Sequence, residues 1–211
     1  MHRSIDQVPL QRGAHPTRDA GMCAMEMVAW LAGEPHSDEP SCACPVLGAF
    51  VRACNDSMND EQRNRLLRPL VPFLLDSRRT AAVERARGLV AVDHLVRTLL
   101  PDWLRRQRRV EEAQLLFDFP PIRRLDDVRL ALRAVEHYAR TQHATVWVLQ
   151  RALEGTPPAR YVAGVVQVAR ALGDGATWAK MATLVGHMLA AEIEPAGPFV
   201  PRPTDALEAS S

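Results

Sequence analysis

Apolar positions recur along this chain at spacings of three and four, and almost nowhere in strict alternation. That period lines one face of a helix, whereas alternation would line one face of a strand. Residues 1–18 break any period at Pro9, Gly13 and Pro16 and read as extended chain. The stripe Met22, Met25, Ala29, Ala32 then predicts a helix from about Gly21, capped by Asp19 and stopped by Gly33. Cys23, Glu26, Met27 and Trp30 share a neighbouring face of it. Prolines, Ser and Asp make 34–44 a loop. Pro45 suits a first helical position with Cys44 as cap, ahead of the stripe Val46, Leu47, Phe50, Val51, Cys54. That helix is expected to stop at Asn55-Asp56. Residues 57–60 resemble a capping box for a short helix. The apolar run 66–75 follows, interrupted by Pro69 and Pro72.

The cleanest period spans 80–100, through Ala82, Val83, Ala86, Leu89, Val90, Asp93, Val96 and Leu99, where Pro101 is expected to kink or end the helix. A very basic helix is expected over 103–114 and a loop over 117–121. Asp126-Asp127 place acids at the positive end of a helix through Val128, Ala131, Leu132, Val135 and Tyr138. It breaks near Thr141 or runs on to Leu153. Val162, Val165, Val166, Ala169 and Leu172 mark another helix, and Gly173-Asp174-Gly175 turns into a last one over 176–191. The valines of 161–172 would also suit a strand, but their period favours helix, and there is no clear strand, no Asn-Gly hairpin and no internal repeat. The pattern predicts an all-α, single-domain helical bundle of about seven or eight helices over 1–191. Its site-bearing segment is 13–60, and a proline-rich, disordered tail covers 192–211.

Composition agrees with that class. Apolar residues make up 47% and aromatics only 5%, so Ala, Val and Leu carry the core, which favours closely packed helices. A net charge of +1 gives no global attraction to nucleic acid or anionic lipid. No apolar run approaches a membrane span, and the first residues lack the apolar centre of a signal peptide. The expectation is a cytoplasmic protein with reduced cysteines and no membrane association.

All four cysteines fall in the segment 15–60, together with His15, His36 and a run of acids. Reduced, clustered cysteines point to metal or thiol chemistry before disulfides. One helix with a returning loop can gather four zinc ligands, and Cys23, His36, Asp38 and Cys42 are the candidate metal set, with zinc as the cofactor it would take. Cys42 and Cys44 precede a helix N-terminus, which lowers a thiol pKa, with His36 or His15 as base and Asp38 to orient it. The bland reading packs Cys23 and Cys54 as small apolar groups. Glu26, Asp38 and Asn55 then tie the loop to helix ends, and His15, Glu26, Asn55 and Asp56 form a polar network. Elsewhere, Arg105, Arg106, Arg108 and Arg109, with Trp103 and Phe119 nearby, are a candidate nucleic-acid surface, although acids over 111–127 neutralise much of it.

The string Gly13, His15, Gly21, Cys23, Met25, Glu26, Ala29, then Ala32-Gly33-Glu34, Ser37, Asp38, Pro40, Cys42, Pro45, Phe50, Asn55 and Asp56 resembles a signature of uncharacterised bacterial and bacteriophage proteins. The resemblance implies no activity. It implies that the polar members of the string belong together, and it leaves out Cys44 and Cys54. The leading functional reading is a non-enzymatic module that binds a protein partner through a structured 13–60 segment. The alternatives are a small zinc- or thiol-dependent enzyme and an accessory nucleic-acid binder using 105–124.

Overall fold

Residues 8–191 are described by the computed structural model, and among them every regular element is helical. Nine helices follow in order. They are α1 (Ala24–Leu31), α2 (Pro45–Ser57), α3 (60–74), α4 (81–106), α5 (Val110–Phe117), α6 (Leu125–Tyr138), α7 (His143–Leu153), α8 (Val162–Leu172) and α9 (Gly175–Ala190). Short 3-10 turns lie at Arg18–Ala20 and Pro158–Arg160. The all-α expectation holds, with 125–153 broken into two helices at 139–142. The tail over 192–211 lies outside the described residues. Among those described, no helix is long and apolar enough to cross a membrane.

Several boundaries differ from the pattern for local reasons. α1 starts after Cys23 rather than after Asp19, because Cys23 and Glu26 close a reciprocal capping box, while Asp19 sits in the 3-10 turn. The cap before α3 is Asn59 with Gln62, not the expected box over 57–60. α4 does not end at Pro101. The stretch Leu95–Leu99 winds as a π turn, in which the Leu100 N–H reaches back five residues to the Leu95 carbonyl. The wider turn carries away the carbonyl that the proline ring would otherwise strike. The same device stands before Pro69, where Arg63–Leu67 is a π turn and the Arg68 N–H bonds the Arg63 carbonyl. The basic helix expected over 103–114 is cut at 107–109. Arg108 there has φ +60, and the N–H groups of 107–109 close the carbonyls of Leu104 and Arg105.

The buried side chains form one cluster running from Leu10 to Met188. α2 is its centre, packed on α1, α3, α4, α8, α9 and the Pro158–Arg160 turn. Val46, Leu47, Phe50 and Val51 are fully buried there, each contributing about 1.5–3 kcal/mol. Pro45 starts this helix and Cys44 caps it, as the sequence predicts, and it runs one turn-closing residue past Asp56 to Ser57. Whatever α2 carries at its two ends is therefore held by most of the molecule.

Candidate functional site

The chemistry-bearing residues collect at the start of α1, against an extended strap formed by residues 8–17. Cys23 is the N-cap of α1: its Sγ accepts the Glu26 N–H at 3.4 Å, and its own N–H donates to Glu26 Oε2 at 2.7 Å. A capping box ordinarily uses Ser or Thr, and here a thiol fills that place. The Glu26 carboxylate is 1% exposed, yet it is richly partnered. Oε1 accepts the His15 N–H at 2.6 Å, and Oε2 also accepts from His15 Nδ1 at 2.8 Å. His36 Nε2 stands 3.5 Å from Oε1 and donates to the His15 carbonyl at 2.9 Å. A carbonyl can only accept, so His36 carries its proton on Nε2. Its buried Nδ1 has no partner among the described residues. Burial pushes the Glu26 carboxyl up, but the His15 and Cys23 donors outweigh it and hold the group below the ordinary glutamate value.

Gly21 makes this arrangement possible. Its φ of +141 is open to glycine, and a Cβ there would lie 2.6 Å from His15 Cδ2 and would also strike the Gln11 side chain. The strap is pinned beyond His15 as well. Gln11 N–H donates to the Met22 carbonyl, and Gly13 N–H to Asp56 Oδ1 at 2.8 Å. Leu10 exchanges two hydrogen bonds with the Asn64 side chain. Asn55, fully buried near the end of α2, accepts the Ala24 N–H and donates to the Gln11 carbonyl and to Asp56. His15, Glu26, Asn55 and Asp56 are thus joined through the strap and the first turn of α1. Arg63, 1% exposed, closes the other side by forking onto the Asn55 and Met58 carbonyls, with Asp60 on its third nitrogen. Nothing in the sequence marked Arg63, which sits in a polar helical run.

The loop 34–44 turns its remaining candidates elsewhere. Glu34 Oε1 and Oε2 take the Ser41 N–H, the Ser41 hydroxyl and the Cys42 N–H at 2.6–2.9 Å, and the Ser41 N–H leads in holding this carboxyl below its ordinary value. Glu34 is thus the clamp that closes the loop, a role its A-G-E context did not reveal. Arg52 holds the Asp38 carbonyl and the Glu39 carboxylate and stands 3.7 Å from the Asp38 side chain. The metal set therefore divides: Cys23 caps α1, His36 serves His15 and Glu26, Asp38 faces Arg52, and Cys42 hangs from Glu34. Among the described residues no three His, Cys, Asp or Glu side chains gather as a ligand group.

All four cysteines are free thiols. Burial pushes Cys23 up to about 12, and burial likewise raises Cys54 and the half-buried Cys42. Cys44 is fully buried, and its thiol makes no cap bond. The helix N-terminus, where a lowered thiol pKa was expected, leaves Cys42 raised, since its sulfur lies against apolar side chains with the Glu34 carboxylate close by.

The arginine cluster lies at the surface, and most of its members are paired within the chain. Arg105 pairs with Asp102, Arg109 with Glu112, and Arg106 with Asp174 and the Leu172 carbonyl. Arg105 also lies over the Phe117 ring. Arg108, in the break between α4 and α5, makes no ion pair among the described residues.

No family model, no curated protein and no solved structure matches the chain.

Proposed function

We propose that the chain is a non-enzymatic binding module in which 13–60 is a rigid frame for a partner-binding surface, not a reaction centre. One observation supports this most: the Glu26 carboxylate is enclosed by donors from its own chain. A general base or acid needs an open side toward its substrate. Glu26 has none, and its neighbours His15 and His36 point their protons at the carboxylate and at a backbone carbonyl. The thiols support the same reading. A Cys23 at about 12 is protonated at neutral pH, and a thiol, unlike a thiolate, is a poor nucleophile. On this reading, the string that resembles bacterial and bacteriophage proteins is a folding signature: its His15, Cys23, Glu26, Asn55 and Asp56 pin the strap to α1, while its Glu34, Asp38 and Cys42 close the loop. Four free cysteines fit a reducing, cytoplasmic setting.

Alkylation of the native protein with iodoacetamide, read by mass spectrometry beside elemental analysis of the same sample, tests the frame. Cys23, Cys44 and Cys54 are expected to stay unmodified until the protein unfolds, Cys42 to react no faster than free cysteine, and metal to be substoichiometric. A thiol that outpaces free cysteine at pH 6 refutes the proposal. So does one equivalent of zinc that is lost in Cys23→Ser.

A further inference from the structure

A cavity of about 360 Å³ opens beside the N-terminus of α2, a volume at the lower end of those that hold small-molecule ligands. The face of α2 at Pro45, Gly48, Ala49 and Arg52 forms one wall, and Met25 lies on the apolar floor. Three arginines stand around it: Arg52, Arg78 and Arg160, drawn from α2, the segment after α3, and the 3-10 turn before α8. Glu39 is the only carboxylate among its lining residues, and Arg52 already holds it at 2.8 Å. The Arg78 guanidinium donates to the Ser41 carbonyl but makes no ion pair among the described residues, and the Arg160 guanidinium has no partner of either kind among them. The cavity therefore carries two guanidinium charges that no acid of its wall answers. Guanidinium forks fit phosphate and carboxylate oxygens.

Gly48 adds a separate observation. It lies inside α2, where glycine is about 1 kcal/mol worse than alanine. Its packing does not require glycine: a Cβ there would meet nothing closer than Met25 Cε at 3.6 Å and Arg52 Nη1 at 3.8 Å, both ordinary contacts. Its effect is to leave the middle of the cavity wall without a side chain, directly beside the Arg52 head. The unpaired charges and the bare wall describe one shape: an apolar pocket with a cationic rim.

We infer that this cavity binds a small molecule that carries one anionic group, phosphate or carboxylate, on a compact apolar body. The apolar body lies against Met25 and Gly48, and the anion is forked by Arg160 and Arg78, with the N-terminus of α2 adding its positive end. The inference rests on reading 13–60 as a binding frame and not a reaction centre, and it adds to that frame a site for a small anionic ligand.

The test uses the full chain and NMR titration of backbone amides with phenyl phosphate, benzoate, inorganic phosphate and, as the neutral control, benzyl alcohol. Phenyl phosphate or benzoate is expected to give saturable shifts at the amides of 46–49. Whichever of the two binds more tightly identifies the anion, and inorganic phosphate should bind more weakly than phenyl phosphate for want of the apolar body. The double variant Arg78→Ala/Arg160→Ala should weaken binding about tenfold or more, equivalent to about 1.4 kcal/mol, with its spectrum elsewhere unchanged. Gly48→Leu, which fills the cavity, should abolish binding, and its thermal unfolding verifies that it is folded. The inference is overturned if neither aryl anion saturates by about 10 mM, far weaker than the millimolar affinity that corresponds to about 4 kcal/mol. It is equally overturned if benzyl alcohol binds as well as benzoate, or if the arginine variant binds as the parent does. Those failures leave the alkylation result untouched, so the frame and its ligand class fail separately.

Discussion

Glu26→Gln isolates the central carboxylate with almost no change of shape. In the native protein its two oxygens accept three N–H donors, from the His15 backbone, the His15 ring and the Cys23 backbone, at 2.6–2.8 Å in a place that is 1% exposed. A glutamine offers one accepting oxygen and one donating amide. If the oxygen takes the Oε2 place, the His15 N–H faces an NH₂ group. If the amide is turned over, the His15 ring can switch tautomer and accept, but the Cys23 N–H is then orphaned. Either way one buried donor is lost, which costs about 1–3 kcal/mol. The two bonds that survive fall from charge-assisted to neutral strength, a further loss of about 1 kcal/mol each. The expected destabilisation is therefore about 3–5 kcal/mol, in the range found when one partner of a buried charged pair is removed. Urea unfolding followed by far-ultraviolet circular dichroism measures it, with an unchanged slope showing that only stability has moved. A loss below about 1 kcal/mol would refute the claim that Glu26 is the keystone of the strap, because a carboxylate so partnered cannot be that cheap to replace.

The same carboxyl sets an acid limit. Its folded pKa lies below the unfolded value, so its contribution is complete above the ordinary glutamate pKa of 4.5 and is lost as pH falls through the folded value. The parent's urea midpoint should drop below about pH 4.5 and converge toward that of Glu26→Gln, which should be flatter. Gly21→Ala should lower stability by more than about 2 kcal/mol in thermal unfolding, since it adds a left-handed φ penalty to a clash with the His15 ring. Arg63→Lys keeps the charge but cannot fork onto the Asn55 and Met58 carbonyls, so a loss of about 2 kcal/mol is expected by urea titration; a change under about 0.5 kcal/mol would show that the fork is dispensable.

Much of the helical outline was legible in short windows of the chain. Cys44-Pro45 starts α2, Thr80 caps α4 through the Val83 N–H, and Gly173 stops α8 in the left-handed region at φ +71. Pro101 reads as a kink or an end, and of these the end is excluded: a π turn lets α4 pass it, and the packed α4 retains Leu104 and Leu100 in the core. Cys23 as a cap also escaped notice, because thiols are not the side chains expected there, although Glu26 three residues later was the available signal.

The 3.6-residue period and its caps depend on groups within about four positions, so residue order alone was enough to establish an all-α chain and most of its helix starts. Side-chain partnership in the loops obeys no such range. His15 reached Glu26 from a strap 11 residues upstream, and Arg52 took Asp38 and Glu39 from a helix beyond the loop. Glu34 closed on Ser41 and Cys42, and Arg160 was carried to the mouth of α2 by the packing of α8 against it. Cysteines, histidines and acids so close in sequence are compatible with a metal site, a thiol centre or a structural clamp. What distinguishes them is which donors the folded chain brings within about 3 Å of each lone pair, and that is a property of the packed helices, not of the local sequence.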